Sequence, residues 1–127
     1  MPEVITTPGI FTSPTYVGEG ASFLSEPFTT TRSGRLLLSK MVSAIASCTG
    51  ASDGRLLFLR VDGVAVRTSA HYFTTAAFGS LRLVGVTDTV VNAGAHTVDV
   101  AVECLGSSTS SGLGGNLISN TAIVVLR

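Results

Sequence analysis

Arg55-Leu-Leu-Phe-Leu-Arg-Val-Asp-Gly-Val-Ala-Val-Arg-Thr-Ser69 sets the fold class. Two runs rich in branched and apolar residues flank Asp62-Gly63, and an Asp-Gly pair is the preferred two-residue type I′ turn of a β-hairpin. Arg55–Val61 and Val64–Ser69 therefore read as paired strands. Leu57, Leu59 and Val61 alternate with Leu56, Phe58 and Arg60, so the first strand is largely apolar on both faces. Such a strand lies inside a sandwich on one side and needs a second cover on the other, for which a neighbouring subunit is one candidate.

Working outward, the same grammar continues. Ala95–Leu105 alternates cleanly: Val98, Val100, Val102 and Cys104 point one way, and Thr97, Asp99, Ala101 and Glu103 the other. Further strands are expected at Ser22–Thr31, where Pro27 implies an edge or bulge, and at Tyr72–Ala77, Ser80–Thr87 and Leu117–Leu126. Arg35–Cys48 fits a strand through Leu36, Leu38, Val42, Ala44, Ala46 and Cys48, and also a helical stripe through Leu37, Met41, Ile45 and Cys48. The flanking β signals favour the strand. Gly106–Asn116 reads as a mobile glycine- and serine-rich loop. About eight strands result, the count of a jelly roll or related all-β antiparallel sandwich.

Residues 1–20 differ from the sandwich at 21–127. Pro2, Pro8 and Pro14 argue against a helix or a central strand. The segment reads as an extended N-terminal arm, either a frayed terminus or a strap whose Ile5, Ile10, Phe11 and Tyr16 lie on a partner.

At 127 residues one domain can bury about two-thirds of its unfolded surface. Charged residues form 13% of the chain, against a usual share of about 25%, and the formal net charge is zero. Mean hydropathy is +0.50. Little opposes association, so part of the apolar surface is expected to be covered by further copies. The seven Arg are scattered among carboxylates, which argues against nucleic-acid binding. No run approaches the roughly 20 apolar residues of a membrane span. The start of the chain lacks the pattern of a signal peptide, which points to synthesis and assembly in a cytoplasm. In that compartment Cys48 and Cys104 read as buried free thiols, with a cross-sheet disulfide as the alternative.

Chemistry is hard to assemble from these residues, and the chain reads as no enzyme, with no cofactor implied. His96 and Cys104 share a strand face but stand about 27 Å apart, far beyond one metal coordination sphere. Asp99 and Glu103 lie about 13 Å apart along their strand, more than the roughly 5–9.5 Å of a glycosidase pair. Ser69 and His71 share a face without a nucleophile elbow. Gly112-Leu-Gly-Gly115 precedes no helix, so it is not a dinucleotide fingerprint. Asp53, Asp62 and Asp88 occupy turns, where Asp is favoured for backbone reasons. His96 reads as a satisfied core or interface histidine.

Gly34-Arg-Leu-Leu-Leu-Ser39, Leu57-Phe-Leu-Arg-Val-Asp-Gly63, Asn92-Ala-Gly-Ala-His-Thr-Val98 and Asn120-Thr-Ala-Ile-Val-Val125 together resemble the C1q/TNF-like jelly roll. The resemblance is to small trimeric domains of bacteriophage virion proteins, and covers about residues 22–127. It implies a homotrimer packed through one sheet. It also implies a structural role in the virion, such as a capsid decoration protein that meets the major capsid protein through its arm. A receptor- or carbohydrate-binding head of a fibre is the alternative. Eight aromatics and no Trp depart from the extracellular members.

Overall fold

The computed structural model describes residues 3–6, 10–12, 15–16, 23–48, 54–73, 77–104 and 111–126. For residues 10–12, 15–16, 23–24, 42–48, 55, 73, 77–80 and 111–120 only the backbone is described. The elements are β1 (Glu3–Thr6), β2 (Ile10–Thr12), β3 (Thr15–Tyr16), β4 (Phe23–Thr30), β5 (Leu36–Cys48), β6 (Arg55–Val61), β7 (Val64–Phe73), β8 (Ala77–Val86), β9 (Gly94–Cys104) and β10 (Ser111–Val125).

One sheet runs β1-β10-β5-β8, with β2 and β3 also on β10, and the other runs β4-β9-β6-β7. Every strand pairing is antiparallel. Taking β1–β3 as one interrupted strand gives eight positions in the orders 1-8-3-6 and 2-7-4-5. That interleaving of two Greek keys is a jelly roll, the sandwich expected from the strand count.

The inward faces follow the period-two pattern. Leu36, Leu38, Leu83, Ile123 and Val125 of the first sheet meet Leu57, Leu59, Val66, Val98 and Val100 of the second, all buried. Arg35–Cys48, open between strand and helix in the sequence, is strand from Leu36 onward and sits between β10 and β8. β4, which carries Pro27, is an edge strand. Asp62 and Gly63 have φ of 51° and 81°, the two positive values that a type I′ turn demands.

Residues 1–20, expected as an extended arm, supply three short strands laid in succession along β10. Pro8 and Pro14 lie outside the described residues. Glu3 fastens the first of these strands: its carboxylate accepts hydrogen bonds from Thr31 N at 3.0 Å and Thr31 Oγ1 at 2.7 Å. Ile5 packs against the chain's own core. The side chains of Ile10, Phe11 and Tyr16 lie outside those described.

Two local expectations are corrected. Residues 111–116 are not loop: β10 begins at Ser111 and pairs with the end of β5. A backbone ladder tolerates Gly and Ser where the neighbouring strand supplies the hydrogen bonds, and only 106–110 of the proposed loop lies outside the described residues. Of the strand expected at Tyr72–Ala77, residues 74–76 lie outside those described, and its two ends belong to β7 and β8. Tyr72 and Phe73 end β7, which contains a wide bulge between Val66 and His71. Ser69 plugs it, accepting from Leu59 N at 2.8 Å and donating to Val66 O at 2.5 Å. The bulge brings Thr68 onto β8, where its hydroxyl accepts from Val86 N at 2.7 Å and donates to Val86 O at 3.1 Å. This approach requires Gly85, since a Cβ there would meet Ser69 N at 2.7 Å.

The cysteines also differ from the free-thiol reading. Cys104 is disulfide-bonded, and the sequence holds one other cysteine, Cys48. β5 and β9 belong to different sheets, so the cross-sheet alternative is the one realised.

Candidate functional site

The β6–β7 turn and the β8–β9 connection come together at one end of the sandwich. His96, at the start of β9, continues the inward face of Val98 and Val100 to the rim, where its ring stands 5.6 Å from that of Phe28 in a tilted arrangement. Its Nδ1 lies 2.6 Å from Asp62 Oδ2, and its Nε2 lies 2.6 Å from the carbonyl oxygen of Asn92. Both neighbours are acceptors, so the cationic imidazole, with a proton on each ring nitrogen, is the form that satisfies both contacts. Desolvation opposes that charge, but the hydrogen bonds to the Asp62 carboxylate and the Asn92 carbonyl and the charge of Asp62 together raise the His96 pKa above its usual 6.5.

Asp62 is held from a second direction. Its Oδ1 accepts from Thr97 N at 2.9 Å, and its own N–H donates to Thr97 O at 2.9 Å. One histidine thus clips the β6–β7 turn to the β8–β9 connection. On the connection's other side, Thr87 Oγ1 accepts from Leu36 N and donates to Thr89 O, both at 2.9 Å.

Between these fixed walls lies a cleft of about 390 Å³. Asp62, Asp88, Thr89 and Asn92 offer it polar groups, and Val64 and Val90 line it while remaining 70% and 61% exposed. The arrangement suits a small ligand that presents hydroxyls to carboxylate and amide groups and C–H surface to valines. Among the described residues no group of three or more His, Cys, Asp or Glu could hold a metal ion.

Elsewhere the other sequence candidates separate. Ser69 and His71 do not form a catalytic pair, because the Ser69 hydroxyl is committed to the bulge. Asp99 pairs across the ladder with Arg60, Oδ1 to Nε at 2.9 Å, and is nearly buried, while Glu103 is exposed. Leu56 and Phe58 line a shallow groove of about 310 Å³ with Ala65, Ala70 and Arg67 on the outer face of the second sheet. The sequence marked Asp62 and Asp88 only as turn formers. What would have exposed their second role is that Asp-Gly and Thr-Asp-Thr both close strands leading to the same end of a jelly roll.

Lys40 was also overlooked. It is the single lysine of the chain and is fully buried. Its parity with Leu36 and Leu38 placed it on the inward face, and Glu26 shares parity with Phe28 in the same way. Lys40 Nζ pairs with Glu26 Oε1 and donates to Thr121 Oγ1 at 2.8 Å.

No family model matches the sequence, and no curated protein matches it. Solved structures do resemble the fold. Dimeric latent PorU from Porphyromonas gingivalis aligns over 98% of this chain with a TM-score of 0.53 and 19% identity, and the chain spans 13% of PorU. The C-terminal domain of EclA, a sugar-binding protein, aligns over 89% of this chain and 77% of its own with a TM-score of 0.51 and 15% identity. The CBM36-1 domain of a multidomain xylanase from the hindgut metagenome of Trinervitermes trinervoides covers 96% of both chains, with a TM-score of 0.44 and 8% identity. The strand order defines the class, and the likenesses to PorU and the EclA domain agree with it: the chain is a jelly-roll domain.

Proposed function

We propose that this chain is a non-enzymatic recognition module whose end cleft takes a hydroxyl-rich ligand of the carbohydrate class. The cleft is the observation that carries the reading. Carboxylate, amide and hydroxyl groups stand beside exposed valines, which is the mixture a sugar ring meets with its hydroxyls and its C–H faces. The His96 clip holds the two walls in place before binding, so little ordering cost falls on association. The likeness of fold to the sugar-binding EclA domain supports the same reading. So does the disulfide at Cys104, since disulfides persist in oxidising surroundings, and a cell surface or virion surface is such a place. A glycan array with the intact chain tests it. Asp88→Ala and Val90→Asp should each weaken a bound glycan by about tenfold, as expected for one charge-assisted hydrogen bond or the loss of an apolar contact. Unchanged binding by both variants would remove the cleft from the account.

A second reading, a self-associating structural module such as a trimeric capsid decoration protein, has its own supporting observation. On the outer face of the first sheet, Val4, Val124, Leu37 and Val86 stand opposite one another across four strands. Val84 and Met41 extend this face and are 45% and 38% exposed. A continuous aliphatic row of that kind suits contact with further copies of the chain.

A further inference from the structure

The buried group between the sheets has chemistry that the cleft does not use. Glu26 comes from β4 of one sheet, and Lys40 and Thr121 come from β5 and β10 of the other, where they stand opposite each other in register. Their exposures are 2%, 0% and 1%. Lys40 Nζ contacts Glu26 Oε1, and the Thr121 hydroxyl touches both partners, accepting from Nζ at 2.8 Å and donating to Oε1 at 2.9 Å. The second carboxylate oxygen, Glu26 Oε2, is buried and has no hydrogen-bond partner among the described residues. The next inward residues on the three strands are Phe28, Leu38 and Ile123, all apolar and buried.

An ion pair in these surroundings is expensive, because each charge loses its water and the unpartnered oxygen has no compensation. Burial lowers the pKa of Lys40 against the opposing pull of Glu26 and, more weakly, Asp99. Transfer of one proton within the pair, from Nζ to the carboxylate that it contacts, gives a free amine against a neutral acid with no net change of charge.

We propose that Lys40 and Glu26 join covalently, forming an amide bond that ties the two sheets together. The Lys40 nitrogen attacks Cδ of Glu26, a C–N bond forms, and one C–O bond breaks. The nitrogen gives up one proton and the departing oxygen gains it, so that a single water leaves. No oxidant or co-reactant is needed. Thr121 touches both the nitrogen and the carboxyl and relays that proton through its hydroxyl. The product removes both buried charges, and the oxygen that departs as water takes with it the excess acceptor that the ion pair leaves unsatisfied. Cys104 on β9 and Lys40 on β5 would then give the sandwich two covalent ties.

The test is intact-mass spectrometry of the full chain under reducing conditions, followed by tryptic mapping. The expected mass is one water below that of the sequence. Trypsin should fail at Lys40 and release residues 1–32 joined to 36–55. Lys40→Met should return the full mass, and Thr121→Val should form the joined peptide at least tenfold more slowly. A wild-type chain that keeps its full mass after prolonged warming overturns the proposal. So does a lost water that maps elsewhere, for example to Asp53-Gly54 or Asp62-Gly63, with peptides 1–32 and 36–40 recovered separately. Cross-linking of Thr121→Val at the wild-type rate would overturn the relay.

Discussion

Deprotonating His96 should unclip the end of the sandwich, and the cost can be worked from its geometry. The ring donates at 2.6 Å to Asp62 Oδ2 and at 2.6 Å to the Asn92 carbonyl. Loss of one proton turns one of those nitrogens into a lone pair facing an oxygen, so one of the two bonds must go. A hydrogen bond to a charged group contributes about 1.5–3 kcal/mol net. Asp62 is 47% exposed at its side chain, and screening reduces such a pair to about 1 kcal/mol. The folded-state pKa of His96 is raised, so this contribution is fully present below the unfolded value of about 6.5 and is lost as pH climbs through the folded value. Thermal unfolding at pH 5.5, 7 and 9 reads it, comparing the wild type with His96→Gln so that His71 and other groups cancel. The wild type should lead by about 4 °C at low pH, as about 1 kcal/mol implies for a domain of this size, and the lead should shrink towards pH 9. A lead that is flat across the range, or that grows with pH, would refute the reasoning.

Other consequences are more local. Ser69→Ala leaves the buried Leu59 N–H without its acceptor and should cost about 1–3 kcal/mol in urea denaturation. Cys104→Ser should lower stability by about 2–5 kcal/mol, and reducing agent should then lower the unfolding midpoint of the wild type but not of the variant. If the outer face of the first sheet joins copies of the chain, Leu37→Asp should shift sedimentation from oligomer to monomer while the circular dichroism of the sheets persists.

Much of the fold was legible because it rests on local rules. The Asp62-Gly63 turn follows from the only dipeptide in its region able to hold two positive φ values cheaply, and the inward face of β9 follows from strict alternation at Val98, Val100 and Val102. The inclusion of residues 111–116 in β10 was not legible, since Gly112, Gly114 and Gly115 carry no side-chain signal and only the presence of β5 alongside makes them strand. The three-residue excess in β7 was hidden for a similar reason: Ser69 substitutes a hydroxyl for a backbone partner, which no pattern of hydropathy reports. The cleft depends on two turns far apart in the chain, at 62–63 and 87–93, meeting only after the sandwich closes. Lys40 and Glu26 could have been paired from parity alone, had a charge at an inward position been followed to its partner.

The end cleft is the place where this jelly roll is proposed to meet its ligand. Titrating the isotope-labelled chain with the strongest glycan from the array, and following backbone amide shifts, decides that most directly. Changes confined to residues 61–66, 87–92 and 96 are expected. Shifts centred instead on Leu56, Phe58 and Tyr72, or no shift with any glycan, would contradict it.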